Sequence, residues 1–506
     1  MISMAALLSN ERRISPDVLL ALLDRLQQTH IPMHSLHILR HGQTELEAYY
    51  APCREGQLHR MFSISKSLTA LAVLKLCETG HILLDAPICR YFPEYVDENT
   101  HPWIRQTTVR DMLMMRSCHA STTYKFDMTR DWVESYFTTP PTHKPGTVFH
   151  YDTSASHTLC ALVEKLTGRP MLDYLKDAML REIGWSEESY MLADPFGHSM
   201  GGSGLMATAE DLVLLGQLLL QDGRWKGRQL LREDLLAEAL NWQSATAVTG
   251  PITGESQGYG YFFWRGEQDA RVCYGMGGQL VLCYPAYELL VVTTADTQGM
   301  NGANQMIYDA VCQLLLPGLS HRCASALPGE EKSVERLRRR IAGLCIEPLC
   351  SVYSQGCSSV LRNGDITSDG SVTDIVNFLD ARTDGTRIQR QVYHIQDHSG
   401  FTRLSLELSQ ESGVLHYTLN GSVCQLPFGL SQVIPCRFPG YDMFCASSGM
   451  WLDEHTFYIR THLLDTSVGS VHFQLYFGEN DVTVYMKKQE ETLFGEYSGH
   501  IYGTAG

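Results

Sequence analysis

Hydrophobic residues recur at helical spacing near the start of the chain, after Ser15. Ser15, Pro16 and Asp17 supply a capping hydroxyl, a proline at the first helical position and an acid in the first turn. The apolar positions that follow lie three and four residues apart, namely Val18, Leu19, Leu22, Leu23 and Leu26. This pattern predicts an amphipathic helix that begins at Pro16.

A different pattern follows, in which apolar and polar residues alternate. Leu36 and Ile38 lie on one side of the turn His41-Gly42-Gln43, and residues 45–50 lie on the other, which predicts a hairpin. Further strands are predicted at residues 259–264, 279–284 and 289–294, and a helix at 304–316.

The region between the hairpin and these later strands is mostly helical in its pattern, from Ser63 to about residue 240. Thr208 and Asp211 form a capping box within it. We therefore predict an α+β fold, with an antiparallel sheet flanked by helices and a separate helical lobe.

The composition changes at Pro317-Gly318 and again at Pro328-Gly329, and a charged helix over residues 330–340 follows. Beyond it apolar residues alternate with polar ones, as in Leu415, Tyr417 and Leu419, which predicts an all-β barrel or sandwich. The predicted domains are residues 1–320, a helical connector at 321–345 and a β domain at 346–506.

Composition and charge limit the classes of function that this protein can have. The chain has 506 residues, of which 44% are hydrophobic and 19% charged, as is typical of a globular protein with more than one domain. Its formal net charge of −16 argues against a nucleic-acid partner, because phosphate groups would be repelled.

The cysteines and the apolar runs bear on compartment and cofactors. Fifteen cysteines without C-x-x-C pairs suggest reduced thiols, not a disulfide framework or a zinc site, and Cys345, Cys350 and Cys357 match no common metal pattern. The first eight residues do not resemble a signal peptide, and no uncharged apolar run approaches the roughly 20 residues of a membrane span. We expect a cytoplasmic protein with no membrane span, no metal and no cofactor.

Ser63 and Lys66 are the strongest candidates for chemistry. They lie three residues apart at the start of a strongly apolar helical run, so both side chains leave the same helical face. A neutral lysine amine within hydrogen-bond reach can take the proton of a serine hydroxyl, which is otherwise a poor nucleophile. A position at a helix N-terminus would favour a developing oxyanion.

The segment around Ser63 resembles the serine β-lactamase and penicillin-binding-protein superfamily, in particular its class C-like branch of esterases, amidases and D-amino-acid peptidases. Three later landmarks agree with this resemblance in order. They are the P-G-x-x-F-x-Y stretch that ends at Tyr151, the glycine turn Gly201-Gly202-Ser203-Gly204 before a helix, and the third motif at Met276-Gly277-Gly278.

The resemblance implies roles for individual residues. Ser63 would be the acylated nucleophile, Lys66 its proton acceptor or relay, and Tyr151 a second base whose pKa the neighbouring ammonium lowers. The backbone N–H groups of Ser63 and Gln279 would form the oxyanion hole.

Departures from the family pattern bear on the substrate. Thr153 stands where the second motif usually ends in Asn, and Met276 stands where the third motif usually starts with Lys or His. Without a cation at position 276, a carboxylate-bearing, penicillin-like substrate is disfavoured. Thr153, Met276, Gly277 and Gly278 are the expected substrate-binding positions. Met115 and Cys118 also replace usual family residues, in a segment that we interpret as structural.

These observations predict a serine hydrolase that cleaves an amide or ester of a small molecule. The alternatives are a pseudoenzyme that keeps the fold as a binding module and, among enzymes, a transacylase or a weak β-lactamase. A homo-oligomer is compatible with the sequence. Some class C-like hydrolases carry a C-terminal, lipocalin-like barrel, so the β domain is expected to select substrate or to mediate assembly and not to cleave bonds.

Overall fold

The computed structural model describes residues 14–319, 330–350, 391–396 and 400–506. Its contacts divide the chain into two compact units. The first unit comprises residues 1–49, 54–297 and 302–344, and the second comprises 50–53, 298–301 and 345–506. Cys357 and the composition change at Pro328-Gly329 lie outside the described residues.

Helices make up most of the regular secondary structure of the first unit. The α-helices of the described residues are α1 (Pro16–Gln28), α2 (Ile64–Glu78), α3 (Pro102–Gln106), α4 (Val109–Leu113), α5 (Trp132–Thr138), α6 (Thr153–Thr167), α7 (Met171–Leu175), α8 (Arg181–Ile183), α9 (Ala209–Leu220), α10 (Glu233–Leu240), α11 (Ala303–Ala310), α12 (Leu316–Gly318) and α13 (Glu330–Ala342). Short 3₁₀ turns lie at Ile88–Arg90, Pro93–Tyr95, Thr123–Phe126, Thr253–Glu255, Glu267–Asp269, Pro285–Tyr287 and Gly495–Tyr497, and π-helical turns at Lys176–Leu180 and Val311–Leu315.

The strands of the first unit are β1 (Met33–Arg40), β2 (Gln43–Tyr49), β3 (His59–Arg60), β4 (Tyr190–Met191), β5 (Leu205–Ala207), β6 (Arg224–Trp225), β7 (Arg228–Gln229), β8 (Trp264–Arg265), β9 (Arg271–Gly275), β10 (Gln279–Tyr284) and β11 (Leu289–Ala295). Six of them form an antiparallel sheet in the order β2-β1-β11-β10-β9-β8. Strand β11 lies between β1 and β10 and is buried along its whole length.

Local sequence features explain several of these elements. The Ser15 hydroxyl accepts a hydrogen bond from the N–H of Asp17 at the start of α1, and Thr208 and Asp211 form the expected capping box at α9. The hairpin β1–β2 has the predicted turn, and Ile38 lies opposite Leu46. The predicted antiparallel sheet with flanking helices and a helical region is confirmed.

One strand prediction is wrong. Residues 259–263 are not a strand, and only Trp264 and Arg265 pair with β9, a strand that the pattern did not predict. Phe262 has a φ of 60°, which an extended strand does not allow. Its backbone N–H donates to Leu113 and its carbonyl accepts from Ser67, so this stretch crosses the core.

The second unit contains a closed β-barrel. Its strands are β12 (Tyr393–Ile395), β13 (Phe401–Leu408), β14 (Ser412–Leu419), β15 (Ser422–Gly429), β16 (Ile434–Phe438), β17 (Met443–Trp451), β18 (Thr456–Leu464), β19 (Val468–Phe477), β20 (Asp481–Gln489) and β21 (Gly499–Ala505). Nine of them form a ring that closes where β15 meets β17, and β16 pairs with β17 beside this closure.

Apolar side chains form one core in the barrel, with Leu415, Leu426, Phe457 and Val471 fully buried. Along β14, buried and partly exposed residues alternate, as a strand with one buried face requires. The prediction of an all-β domain, with a barrel as one of its two forms, is therefore confirmed.

Helix α13 belongs to the first unit by its contacts. Arg340 on α13 binds Asp24 and Gln27 of α1. The sequence suggested this segment as a connector between domains, whereas its described part pairs with the first helix of the chain.

Candidate active site

Ser63 is the N-cap of α2, at the start of the helix that the sequence predicted, and Met61 and Phe62 separate it from the short strand β3. Phe62 before it has a φ of 45°, a left-handed conformation that costs energy for a bulky residue. Hydrogen bonds hold this conformation in place. The Ser65 hydroxyl donates to the Phe62 carbonyl over 2.5 Å, and the N–H of Met61 donates to Leu205 over 2.8 Å. The turn thus presents a partly exposed Ser63 at the start of a buried helix.

Lys66 lies one helical turn further on and is only 1% exposed. Its Nζ donates hydrogen bonds to Ser63 Oγ over 2.9 Å and to the carbonyl oxygen of Gly202 over 2.7 Å. This geometry allows a proton to pass between the serine hydroxyl and the amine whenever the amine is neutral.

Tyr151 lies beside this pair. Lys66 Nζ is 4.7 Å from the centre of the Tyr151 ring, and the Ser63 hydroxyl is hydrogen bonded to the tyrosine oxygen. Burial raises the pKa of Tyr151 above its ordinary value. The hydrogen bond with Ser63 lowers this pKa and the charge of Glu255 raises it, but burial has the largest effect. The expected lowering of this pKa is therefore wrong, and the resting form of Tyr151 is the neutral phenol.

Met115 fixes the backbone on both sides of Tyr151. Its carbonyl accepts from the N–H of His150 over 2.9 Å, and its Sδ accepts from the N–H of Asp152 over 3.3 Å. Met115 itself has a φ of 53°. The segment that contains Met115 therefore has the structural role that we predicted for it.

Helix α6 begins directly after Tyr151, with Asp152 as its N-cap. The Asp152 carboxylate accepts from the N–H and the hydroxyl of Ser154 and from the hydroxyl of Ser117. Burial raises the pKa of Asp152 to about 6, and these hydrogen bonds oppose that shift. Asp152 thus stabilises the helix that positions Tyr151.

Aromatic rings surround Tyr151 on its other side. The Trp264 ring stacks on it at 5.7 Å, and the Tyr259 ring meets it edge-on at 6.4 Å. Trp264 in turn contacts Tyr274, whose hydroxyl accepts from Asn304 Nδ2. Residues 259–264 provide two of these rings. Because this stretch does not form a full strand, both aromatic side chains can pack beside Tyr151.

The third motif lies against the turn that carries Ser63. A Cβ on Gly275 would lie 2.3 Å from the carbonyl oxygen of Met61, so only glycine permits this approach. Gly277 and Gly278 follow, with φ values of 86° and 89° that favour glycine. Gln279 then pairs with Gly275 across β9 and β10.

Gln279 is fully buried, and its side chain supports the motif from inside. Its Nε2 donates to the carbonyls of Met276 and Ala295, and its Oε1 accepts from the N–H of Ala295. The side chain therefore has a structural function that the sequence did not reveal.

The expected substrate-binding side chains lie at the edge of the buried cluster. Thr153 and Met276 are both partly exposed, as are Ser63 and Tyr151. Thr153 Cγ2 packs against Gly202, whose carbonyl binds Lys66. The structure thus brings the first two motifs and the glycine turn together through direct contacts.

Glu255 is a buried acid that sequence reasoning missed. It is 1% exposed, its Oε1 has no hydrogen-bond partner, and burial raises its pKa to about 7. Its charge raises the pKa values of Tyr151 and Tyr274. It lies in a loop rich in glycine, serine and threonine, where no motif would single it out.

Across residues 14–319, 330–350, 391–396 and 400–506, no helix is both long enough and apolar enough to span a membrane. In the same part of the chain, no cluster of three or more His, Cys, Asp or Glu side chains could hold a metal ion.

Comparison with known proteins agrees with this architecture. The sequence model of the Beta-lactamase family matches residues 20–313, more than half of the chain, and the chain therefore belongs to the Beta-lactamase family. The crystal structure of a candidate β-lactamase from Bacteroides dorei DSM 17855 is similar in fold, with a TM-score of 0.51 and 15% identity. That likeness covers 59% of this chain and 98% of the other.

Two curated relatives are hydrolases. The chain is 26% identical to esterase EstB of Burkholderia gladioli over 166 residues, and 24% identical to the 6-aminohexanoate-dimer hydrolase of Paenarthrobacter ureafaciens over 229 residues. These matches cover 28% and 42% of this chain. The chain spans only 41% and 58% of the length of these relatives.

Proposed function

We propose that this protein is a serine hydrolase that cleaves an amide or ester of a small molecule through an acyl-enzyme on Ser63. The observation that carries the proposal is the position of Lys66 Nζ, 2.9 Å from Ser63 Oγ and bound to the Gly202 carbonyl. A fixed amine beside a partly exposed serine hydroxyl is the arrangement that nucleophilic catalysis requires.

In the first step, neutral Lys66 accepts the proton of Ser63 while Oγ forms a bond to the carbonyl carbon of the substrate. The backbone N–H groups of Ser63 and Gln279 stabilise the resulting oxyanion. The raised pKa of Tyr151 keeps its hydroxyl protonated, which suits a proton donor. Tyr151 gives its proton to the leaving amine or alcohol and regains one from Lys66. Water then releases the acyl group by the reverse sequence.

The substrate class follows from the side chains at the edge of the site. Thr153 and Met276 are uncharged, and Trp264 and Tyr274 add aromatic surface nearby. We therefore propose a substrate whose acyl part is not strongly anionic. The hydrolase names of the two curated relatives support an amide or an ester bond as the target.

A fluorophosphonate probe tests the proposal on the full-length protein. We expect wild type to be labelled at Ser63 and Ser63→Ala to remain unlabelled yet folded by circular dichroism. Lys66→Met and Tyr151→Phe should each lose roughly 10³-fold or more in turnover of an ester substrate, because they belong to a unit that acts together. Ser67→Ala, which removes a nearby buried hydroxyl, is the matched control. Near wild-type turnover by Lys66→Met would refute the mechanism.

A pseudoenzyme is the second candidate, because Thr153 and Met276 depart from the family motifs. It would bind a ligand but leave Ser63 unlabelled. The same probe experiment therefore separates the two functions. Transfer of the acyl group to an added alcohol would identify a transacylase, and turnover of penicillins would identify a weak β-lactamase.

The thiols support a cytoplasmic location as part of this proposal. Eleven cysteines of the described ranges, among them Cys53, Cys118 and Cys273, are free thiols. Such a thiol content suits a reducing compartment. Disulfides found by differential alkylation of protein taken directly from cells would contradict this assignment.

A further inference from the structure

A buried, hydrogen-bonded pair of side chains links α6 to the segment of residues 194–202, which we term the glycine segment. His157 Nε2 on α6 donates to Asp194 Oδ2 over 3.0 Å, and the two side chains are 1% and 0% exposed. Asp194 Oδ1 also accepts from the N–H groups of Phe196 and His198. Burial raises the pKa of Asp194, but the bonds from His157 and the backbone lower it further than burial raises it.

A second pair lies two turns further along the same helix. Glu164 Oε2 is 3.4 Å from His198 Nδ1, and the Glu164 carboxylate accepts from the N–H of Ser199 over 3.3 Å. The bond to Glu164 raises the pKa of His198. Because His157 and Glu164 are seven residues apart, both point from one face of α6 toward the glycine segment.

The end of the glycine segment reaches Lys66. The N–H of Gly201 donates to Ser199, and the Gly201 carbonyl accepts from the Thr69 hydroxyl over 2.9 Å. The next carbonyl, that of Gly202, accepts from Lys66 Nζ. An unbroken series of contacts therefore runs from the two pairs to the amine beside Ser63.

We propose that the pairs His157–Asp194 and Glu164–His198 are positioning residues for the reaction, because they hold the Gly202 carbonyl against Lys66. The proposal rests on the proposed function of Ser63 and Lys66. The same helix starts two residues after Tyr151, so α6 fixes both groups that exchange protons with Ser63. Each of the four side chains acts on Lys66 through the backbone of the glycine segment.

The physical effect on Lys66 has a definite direction. A carbonyl oxygen accepts a hydrogen bond more strongly from an ammonium than from a neutral amine, so the Gly202 carbonyl favours the charged form. When the carbonyl is held less firmly, the amine loses its proton at lower pH. It also moves out of line with Ser63, so the rate falls at the same time.

The test is the pH dependence of fluorophosphonate labelling at Ser63 in the full-length protein. We expect Asp194→Asn to slow labelling on the order of tenfold and to move the midpoint of its pH profile down by about half a unit or more. His198 is partly exposed, so His198→Gln should fold even if Asp194→Asn does not. This variant should move the midpoint of the pH profile in the same direction by a smaller amount. His119→Gln is the control, because His119 is a buried histidine whose Nε2 bonds to the carbonyl oxygen of Tyr136 on α5.

Two outcomes separate this proposal from the function on which it rests. Normal labelling of wild type with an unchanged midpoint in the folded variants would overturn the positioning role alone. An absence of labelling in wild type would overturn the proposed function. In that case lysine-selective ¹⁵N NMR still decides the positioning role, because the Lys66 signal must titrate at lower pH in His198→Gln than in wild type.

Discussion

At the scale of single residues, the protonation states of the site's side chains depend on how far burial shifts their pKa values. Tyr151 and Glu255 both have raised pKa values, and burial is the first cause in each case. A group taken out of water favours its neutral form unless a partner offsets the loss of hydration. Tyr151 is therefore suited to donate a proton, and Lys66, whose Nζ lies over its ring, is the group that can return one.

Glu255 gives a pH prediction. Its pKa of about 7 in the folded protein exceeds the ordinary value of 4.5, so the folded state binds more protons between these limits. Stability from this group is fully present below pH 4.5 and is lost as the pH rises through 7. We expect Glu255→Gln to be more stable than wild type at pH 8 by about 1–3 kcal/mol, with no gain at pH 4.5.

Thermal unfolding at the two pH values measures this difference. Glu267→Gln, at a residue outside the core in the same unit, is the matched control and should shift neither curve. Equal midpoints for wild type and Glu255→Gln at pH 8 would contradict the assigned burial of a charge.

Met276 gives a prediction on selectivity. Wild type should hydrolyse penicillins poorly, because position 276 offers no charge for their carboxylate. Met276→Lys should raise the acylation rate of anionic esters relative to neutral ones by roughly tenfold, the effect of one partly exposed ion pair. Met276→Leu preserves the apolar character and should leave the ratio unchanged. Efficient turnover of benzylpenicillin by wild type would refute the argument.

At the scale of elements, α6 and β9 show that some elements follow from the local sequence and others from packing. The α6 helix has a capping aspartate that any helix could use, yet this cap also fixes the tyrosine beside it. Strand β9 is short and has no regular alternation, so the sequence did not predict it. It forms because Val272 pairs with Trp264 of β8 and because Gly275, at its end, packs closely against the backbone of Met61.

The hairpin β16–β17 carries a prediction of its own. Cys436 and Cys445 lie directly opposite each other, and their Sγ atoms are 3.3 Å apart. The hydrogen bond between the two thiols lowers the pKa of Cys436, which favours its reactive thiolate. We expect one equivalent of hydrogen peroxide to oxidise the pair to a disulfide, with two water molecules formed and two hydrogens lost from the protein.

Peptide mass spectrometry after mild oxidation detects this crosslink, and dithiothreitol should reverse it. Cys436→Ser should abolish it, and Cys424→Ser, in the same barrel, should not. Persistence of two alkylatable thiols at positions 436 and 445 after oxidation would show that the hairpin does not allow the bond.

At the scale of the whole molecule, the proposed catalytic residues and the barrel belong to different units. The four proposed catalytic and oxyanion residues, Ser63, Lys66, Tyr151 and Gln279, lie in the first unit. The second unit contains the barrel with the short segments 50–53 and 298–301. We propose that the barrel serves substrate selection or assembly, since none of these four residues lies in it.

Truncation after Leu344 tests this division, because it keeps α13 with α1. We expect Ser63 to remain reactive toward a small fluorophosphonate, with a changed KM for larger substrates or a changed oligomeric state. Circular dichroism must first show that the shortened protein is folded. Loss of labelling in a folded, truncated protein would show that the barrel helps to build the site.

The sequence by itself determined the features that depend on neighbours along the chain. The caps of α1 and α9, the helix that starts after Ser63 and the alternating strands of the barrel follow from local spacing and propensity. The order of the motifs also placed Ser63, Lys66 and Tyr151 in one predicted site, because their residue types define a known chemistry.

Only the tertiary structure decided what depends on distant segments. One partner of Lys66 is a carbonyl 136 residues away, and Trp264, at the start of β8, stacks on Tyr151. No motif predicts the burial of Glu255. The direction of the Tyr151 pKa shift likewise required knowledge of its burial. These properties arise from contacts across the core, and a pattern along the chain does not specify which distant backbone and side-chain groups will meet there.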